Sequence, residues 1–344
     1  MATIPSRTVK LRRLGRIVAQ VTCGIGIVLG IGLGIRCFLN ARAVLTVPAG
    51  WRIIRPPAQV ATLAIVGDMV WAGGKDGVSL LDRRTGTQLP LPPGAPSFSF
   101  VHAMLQDAQG TLWIAHDDGL TSFAQGRWTT LARSGNASLK PALSLLETRD
   151  LSLWVGTTGG MACYAHGDWL PVVPPPSMPI TAANVLYQDQ SDAVWVGCSD
   201  AFHGGLYRFE KGQWRVFGRA DGLPHMSVNM LLQDRSGTLW AATGQANQGG
   251  LARWQQGRWV AADLPTTLAS KKMRSVFMDH AGRLWFGSEY DGIAVQAAGG
   301  WQVYSARNGL AGSEVLALVQ DADGIYWLGT NNGLSRIERF ASLN

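Results

Sequence analysis

The stretch QDRSGTLW, residues 233–240, recurs along the chain and decides its fold. Close copies are QDAQGTLW at 106–113, MDHAGRLW at 278–285 and QDADGIYW at 320–327, with a looser QDQSDAVW at 188–195. An acid and a tryptophan in one octapeptide are compatible with a catalytic acid beside a substrate-stacking ring. Five approximate copies cannot all be active sites, however. The pattern favours a structural role, in which Asp and Gly form a tight turn and Trp packs between repeats.

The tryptophan persists where the turn residues are lost, in LSLWVGTTGG (151–160) and MVWAGGKDG (69–77). Seven anchors result: Trp71, Trp113, Trp154, Trp195, Trp240, Trp285 and Trp327. They are separated by 42, 41, 41, 45, 45 and 42 residues, a repeat length typical of one propeller blade. The sequence therefore predicts an all-β fold, a seven-bladed β-propeller of four-stranded blades.

The order of strands within a blade can be read from one repeat. SVNMLLQ (227–233) is predicted to be innermost, followed by TLWAAT (238–243), GGLARW (249–254) and the outermost GRWVAAD (257–263). The seventh copy lacks an outer strand, whereas GWRII at 50–54 matches the outer-strand pattern. Residues 50–55 are thus expected to complete the last blade and remove its unpaired edge. On this reading, deletion of residues 335–344 should unfold the domain.

The net charge of +7 does not indicate a nucleic-acid binder, because its distribution is uneven. Residues 1–43 contain seven basic residues and no acid, and the remaining chain carries 23 of each sign. A nucleic-acid surface needs its positive charge on the folded domain. Here the excess flanks the uncharged run IVAQVTCGIGIVLGIGLGI, residues 17–35.

This apolar run predicts a membrane anchor. Its nineteen residues are enough to cross a bilayer, and five basic residues precede it, which places the N-terminus in the cytoplasm. The predicted organisation is a cytoplasmic tail (1–16), a transmembrane helix (17–39) and an exported propeller (44–344). A cleaved signal peptide is the alternative, since Ala41-Arg42-Ala43 offers a cleavage pattern. Gly26, Gly30 and Gly34 share one face of the predicted helix, a spacing that can drive dimerisation.

Cofactors and metals are not predicted. The four cysteines are too few for a disulfide framework. Cys163 and Cys198 are the one pair that could form a bridge in the exported domain, and the favoured alternative is two unpaired and partly buried thiols. The histidines lack metal-ligand spacing. QDADG at 320–324 resembles part of a calcium loop but lacks the downstream Glu of an EF-hand.

The repeat resembles a known family. The run V..LLQDRSGTLWAAT (228–243) with GGLARW (249–254), and GQWRVFGRADGLPH (212–225), are similar to the two-component regulator propeller repeat. The resemblance covers about residues 50–344 and implies a seven-bladed sensor domain of the kind found outside the cytoplasm in bacterial hybrid histidine kinases. It also implies an extracellular ligand, commonly a carbohydrate fragment. The chain shows no kinase or DNA-binding domain, so any signal is expected to pass through a partner protein.

Departures from the repeat are more informative about function than its consensus. Between the anchor Trp and the following "GL" position, blades four, five and six are longer than the others. The insertions are CSDAFHGG (198–205), TGQANQGG (243–250) and SEYDG (288–292). In a propeller these second-to-third-strand loops lie on the face that carries the channel mouth, together with the fourth-to-first-strand loop RADGLPH (219–225).

These four segments contain the candidate ligand-binding residues. Amides, carboxylates and aromatic rings suit a polar ligand such as a sugar. The candidates are Asp200, Phe202, His203, Asp221, His225, Gln245, Asn247, Gln248, Glu289, Tyr290 and Asp291. The alternative is that the loops are ordinary solvated loops that differ in length.

The predicted function is a non-catalytic module that binds a ligand or a partner protein. One alternative is a structural scaffold for an envelope complex. Another is a propeller lyase, with His203 or His225 acting as a base beside Glu289 or Asp291. His116, beside Asp117 and Asp118, is a further candidate base. No serine or cysteine nucleophile motif is present.

Overall fold

The computed structural model describes residues 47–134, 137–200, 204–268, 271–297 and 300–340. The predicted tail and transmembrane segment, with Gly26, Gly30 and Gly34, lie outside these ranges. Within them, no helix has the length and hydropathy needed to cross a membrane. Residues 47–344 form one compact unit.

The unit is built from seven four-stranded antiparallel sheets, each a blade of a β-propeller. From the innermost strand outward, blade one comprises Thr62–Val66, Met69–Gly74, Gly77–Asp82 and Gln88–Leu89. Blade two comprises Val101–Gln106, Leu112–His116, Gly119–Ala124 and Arg127–Leu131, and blade three Ala142–Glu147, Leu153–Thr157, Gly160–Ala165 and Asp168–Val172. Blade four comprises Ala183–Gln188, Val194–Cys198, Gly205–Glu210 and Gln213–Phe217.

Blade five comprises Val228–Gln233, Leu239–Gln245, Gln248–Gln255 and Arg258–Ala261, and blade six Met273–Met278, Leu284–Ser288, Ile293–Ala297 and Gly300–Tyr304. Blade seven comprises Val315–Gln320, Tyr326–Thr330, Gly333–Ile337 and Trp51–Ile54. The connections add a short hairpin, Arg133–Ser134 with Ala137–Ser138, and two single-turn 3-10 helices, Arg219–Asp221 and Ala306–Asn308. The seven-bladed architecture predicted from the repeat is confirmed.

The outer strand of blade seven comes from the other end of the described chain. Trp51–Ile54 pairs antiparallel with Gly333–Ile337, with Trp51 opposite Ile337. The Trp51 indole donates to the carbonyl of Arg339 at 3.1 Å, and its ring packs at 5.0 Å from that of Phe340. Phe340 is itself buried against Trp285 and Tyr326.

The repeated octapeptide forms the turn between the first and second strands of a blade. Its Asp accepts the backbone N–H two residues on, as Asp234 does from Ser236 at 2.9 Å. Its Gly takes the left-handed conformation that this turn requires, with φ of 86° at Gly237. The Trp at the end of the octapeptide packs onto the next blade. The ring centroid of Trp195 in blade four, for example, lies 5.7 Å from that of Trp254 in blade five. The structural reading of the repeat is therefore confirmed.

A contact that the sequence did not reveal links the two ends of the octapeptide. The second carboxylate oxygen of the turn Asp accepts the indole N–H of the anchor Trp, at 2.7–3.0 Å. The pairs are Asp107–Trp113, Asp189–Trp195, Asp234–Trp240, Asp279–Trp285 and Asp321–Trp327. The acid thus satisfies a largely buried donor that would otherwise carry a desolvation cost.

The residue before the turn Asp ties neighbouring blades together. The side-chain oxygen of Gln233 accepts the backbone N–H of Gln190 in the preceding blade at 2.7 Å. Gln188 of blade four and Gln320 of blade seven make the same bond to the blade that precedes each of them. Glu147 takes this place in blade three. We name the face that carries these turns the turn face, and the opposite one the mouth face.

The two cysteines of the domain are free and buried, as predicted. Both lie in the apolar cluster between blades three and four. Burial raises the pKa of the Cys198 thiol to about 12, so this side chain is a neutral core residue.

Candidate functional site

The mouth face gathers the lengthened segments of blades four, five and six. Gly205, at the end of the first insertion, donates to the carbonyl of Met226 at 2.8 Å. Gly244, at the start of the second, donates to the carbonyl of Ser227 at 2.8 Å. Glu289, in the third, donates its backbone N–H to the carbonyl of Lys272 at 3.2 Å. The blade-four and blade-five insertions are thus both attached to the connection between blades four and five, and the blade-six insertion is attached to the connection between blades five and six.

The blade-four insertion is described only in part. Asp200 is half-buried, and its carbonyl accepts the N–H of Gly204 at 3.1 Å. Gly204 and Gly205 leave no room for a side chain, since a Cβ at Gly204 would lie 2.1 Å from the carbonyl oxygen of Asp200. Phe202 and His203 lie outside the described residues, and their assignment to the site stays a prediction.

The blade-five insertion differs from the predicted loop. It lengthens the two flanking strands, Leu239–Gln245 and Gln248–Gln255, which remain paired out to Gln245 and Gln248. A two-residue turn closes the hairpin, with Ala246 at φ of 51°. Extra residues that continue the ladder satisfy their backbone groups internally, whereas an irregular loop would not. The side chains of Gln245, Asn247 and Gln248 are all exposed on this projecting hairpin.

The blade-six insertion carries a charged pair. Lys272 donates to Glu289 at 2.8 Å, and both side chains are largely buried, at 13% and 14% exposure. The second carboxylate oxygen of Glu289 is buried and has no hydrogen-bond partner in the described structure. Tyr290 is 61% exposed, and the negative charge of Glu289 raises its pKa. The N–H of Asp291 donates to Ser288, which shapes the turn.

Asp221 and His225 support the fourth-to-first-strand connection after blade four. The Asp221 carboxylate accepts the N–H of Gly218 at 2.9 Å and closes the 3-10 turn. His225 is buried, and its Nδ1 accepts the N–H of Ser227 at 3.0 Å. Burial, reinforced by the positive charge of Arg219, lowers the pKa of His225. Both side chains hold the loop, and no carboxylate contact to His225 is present among the described residues.

His116 also has a structural place. It is buried, its Nε2 bonds to Thr121 at 2.9 Å, and its Nδ1 accepts the N–H of Asp118 at 3.3 Å. Burial lowers the pKa of this imidazole. Its neighbour Asp117 bonds instead to Nε2 of His102 at 2.7 Å.

His102 belongs to a ring of residues that the sequence did not single out. In six innermost strands one extra residue forms a β-bulge next to the mouth face, and Ala61 holds the equivalent place in blade one. The bulged residues are His102, Leu143, Asn184, Asn229, Arg274 and Leu316. All seven residues line the central channel, and we name this ring the collar. The anchor spacing identifies it, because each bulged residue lies eleven positions before a Trp.

The collar is polar on the side of blades four to six. Asn229 donates to the carbonyls of Gly244 and Met273 at 2.9 and 2.8 Å, which links the blade-five hairpin to the next blade. Arg274 pairs with Glu314 at 2.5 Å. The amide oxygen of Asn184 is buried and has no partner in the described structure. The lengthened segments and the polar collar therefore lie on the same sector of the mouth face.

This sector is suited to binding. Carboxylates, amides and one exposed aromatic ring lie on the mouth face outside a channel of about 490 Å³. In the described residues, no three His, Cys, Asp or Glu side chains are grouped so that they could hold a metal ion. None of the candidate loop residues lines the channel itself.

Comparison with known proteins agrees with the repeat pattern. The family model for the two component regulator propeller matches residues 96–118, 222–245 and 309–332. These segments run from a fourth-to-first-strand connection into the second strand of blades two, five and seven. No curated protein matches the chain.

Several solved structures share the fold. The extracellular domain of a proposed hybrid two component system from B. thetaiotaomicron is 18% identical with a TM-score of 0.72, over 86% of this chain and 42% of that one. Virginiamycin B lyase from Staphylococcus aureus, in a catalytically inactive form with quinupristin, is 12% identical with a TM-score of 0.63, over 84% and 99%. PorZ, a surface component of the type-IX secretion system of Porphyromonas gingivalis, is 13% identical with a TM-score of 0.62, over 83% and 47%.

At these identities the likeness is one of fold alone, and this chain spans only 42% of the first of the three. The repeat itself is the more specific sign, because the matched segments coincide with the turn, the anchor and the bulged strand described above. The chain is a seven-bladed β-propeller that carries two-component regulator propeller repeats.

Proposed function

We propose that the chain is a membrane-anchored, extracytoplasmic propeller that binds a polar ligand or a partner protein on its mouth face and catalyses no reaction itself. One observation carries this proposal. The three lengthened segments lie on successive blades and present Gln245, Asn247, Gln248 and Tyr290 to solvent on one sector. Exposed amides and an aromatic ring on one face suit the recognition of a polar ligand.

The anchor and its orientation belong to the same proposal. The uncharged run 17–35 and the basic residues before it support a transmembrane helix with the propeller outside the cytoplasm. Gly26, Gly30 and Gly34 support pairing of two such helices. A ligand bound between propellers or at their mouths would then act through a partner protein or a second copy of the chain.

The absence of catalysis is supported by the histidines. The lyase alternative needs His203 or His225 beside a carboxylate, and His225 already uses Nδ1 to accept a backbone N–H. His102 has such a carboxylate partner in Asp117 at 2.7 Å, but this pair belongs to blade two and not to the lengthened segments of blades four to six. The scaffold alternative requires no pocket and is tested by the same experiment.

The experiment uses the full chain in lipid nanodiscs and an array of neutral and acidic oligosaccharides. A variant combining His203→Ala, Gln245→Ala and Tyr290→Ala should lose binding to any oligosaccharide that the parent chain binds, while its unfolding transition stays unchanged. The matched control combines Gln109→Ala, Gln190→Ala and Lys211→Ala, three exposed residues of the turn face. Retained binding in the first variant would overturn the site assignment.

A further inference from the structure

The central channel has a distinct chemistry below the collar. Two positions further along the innermost strands of blades two, four and five, apolar side chains take the place of the polar residues of the collar. This second ring, which we name the girdle, lines the channel with Leu63, Met104, Leu145, Leu186, Leu231 and Leu318. The channel is therefore polar at its mouth and apolar within.

Two members of the girdle are open to the channel, whereas Leu63, Leu186, Leu231 and Leu318 are buried between blades. Met104 and Leu145 are half-buried although they lie at the centre of the ring, because they face the channel. Covering the exposed apolar surface of a cavity of several hundred Å³ with an apolar ligand is favourable, because that surface is removed from water. Cavities lined by aliphatic side chains bind apolar molecules for this reason.

The collar determines which polar group the other end of an apolar ligand can carry. Its Arg274 is already neutralised by Glu314 at 2.5 Å, and the Nε2 atom of His102 is already bonded to Asp117 at 2.7 Å. A charged head group would have to displace one of these pairs. The amide oxygen of Asn184, in contrast, is buried at the channel and has no donor among the described residues. A neutral head with hydroxyl donors fits this environment.

We propose that the central channel binds a neutral amphiphile, with a linear alkyl group in the girdle and a hydroxylated head at the collar. This site is separate from the loop residues of the proposed function. The alkyl group excludes water from Met104 and Leu145, and a hydroxyl donates to the amide oxygen of Asn184. No covalent step is involved.

The test uses a homologous series of probes. Binding of methyl, pentyl, hexyl, heptyl and octyl β-D-glucoside to the full chain in nanodiscs is measured by calorimetry, below the aggregation concentration of each probe and against empty nanodiscs. The association constant should rise about four-fold with each added methylene from pentyl to octyl, as burial of alkyl carbon requires. Methyl glucoside should not bind measurably. An affinity independent of chain length would overturn the proposal.

Two channel variants locate the probe. Met104→Gln and Leu145→Asn should each lower the affinity for octyl glucoside at least ten-fold, and the pair guards against one of them failing to fold. Leu170→Asn is the matched control, because Leu170 is exposed on the outermost strand of blade three. Its affinity should equal that of the parent chain.

The loop variant separates this proposal from the previous one. The combined His203, Gln245 and Tyr290 replacement should still bind octyl glucoside with parent affinity. If it loses that binding while the folded channel variants retain it, the alkyl group lies on the loops, and the channel proposal is wrong.

Discussion

The carboxylate of Asp189 accepts the indole N–H of Trp195 at 2.7 Å, across a turn of six residues. The other oxygen of the same carboxylate accepts the N–H groups of Ser191 and Ala193 and the hydroxyl of Ser191. One buried acid therefore closes the turn and satisfies the ring that packs between blades. Four further blades repeat this bond.

The first prediction concerns acid stability. Burial alone would raise the pKa of Asp189, but the hydrogen bonds from Ser191, Trp195 and the backbone lower it, and the pKa values of Asp234 and Asp279 are lowered in the same way. An acid with a lowered pKa in the folded state stabilises the fold above the unfolded value of about 4, and this contribution is lost as the pH falls through the folded value. The free energy of unfolding should therefore decrease steeply below about pH 4.

Urea unfolding between pH 7 and pH 3 measures this effect. Asp189→Asn should lower the free energy of unfolding by about 1–3 kcal/mol at pH 7, because the amide cannot accept all of these hydrogen bonds. It should also reduce the loss of stability between pH 4 and pH 3. Asp168→Asn, at an exposed position, is the control and should leave both unchanged within about 0.5 kcal/mol. If Asp189→Asn lost stability below pH 4 as steeply as the parent chain, Asp189 would not contribute to the acid sensitivity of the fold.

The second prediction concerns blade three, where Thr148 stands at the position of the turn Asp. Thr148 donates to Asp150 and to the carbonyl of Ser152, and within the described ranges the indole of Trp154 has no acceptor. Thr148→Asp should supply one and raise the free energy of unfolding by about 1 kcal/mol. The resulting Asp-x-Asp turn already exists in blade seven as Asp321 and Asp323.

Chemical unfolding compares this variant with Thr148→Ala, which removes the hydroxyl without adding an acceptor. The alanine variant should be less stable than the parent chain. If Thr148→Asp were also destabilised, the Asp–Trp bond could not be a transferable part of the repeat.

The third prediction concerns the last blade. Phe340 is buried among Trp51, Trp285, Tyr304 and Tyr326, at the junction of the two chain ends of the ring. Phe340→Ala should lower the free energy of unfolding by about 3–5 kcal/mol. The neighbouring Arg339→Ala is the control, because only the backbone carbonyl of that exposed residue contacts Trp51. Equal stability of the two variants would show that this junction does not hold the ring.

The fourth prediction concerns the candidate site. The charge of Glu289 raises the pKa of Tyr290, so Glu289→Gln should move the ionisation of Tyr290 to lower pH. Carbon-13 labelling of tyrosine ring carbons follows the titration of this residue by NMR. Asp263→Asn, an exposed change in blade five, should leave the titration in place. A titration unaffected by Glu289→Gln would mean that Tyr290 lies away from the carboxylate.

Sequence reasoning reached the fold because the propeller is a repeat, and a repeat makes its turns and anchors visible as spacing. It located the insertions for the same reason. The number of residues between Trp240 and the following "GL" position shows directly that blade five is longer than the unextended blades. It misread residues 243–250 as a loop because a strand extension and a loop have the same length in sequence, and only the pairing of Gln245 with Gln248 distinguishes them.

The collar and the hydrogen-bonding roles of Asp221 and His225 were harder to predict from the sequence. A bulge has no residue signature of its own, so the shared spacing of eleven residues from His102 and Arg274 to their anchor Trp gains a meaning only after the strand register shows where the bulge lies. The roles of Asp221 and His225 depend on backbone N–H groups that no sequence pattern displays.

The bonds from Gln188, Gln233 and Gln320 to neighbouring turns hold adjacent blades together on the turn face. Because these bonds lie on the turn face, the tips of the segments on the mouth face can lengthen and change composition without breaking them. Three adjacent blades already show such growth. The chain thus has the construction of a natural display scaffold, in which new recognition surfaces can be selected by randomising the tip of the blade-five hairpin while every Asp, Gln and Trp of the repeat is kept.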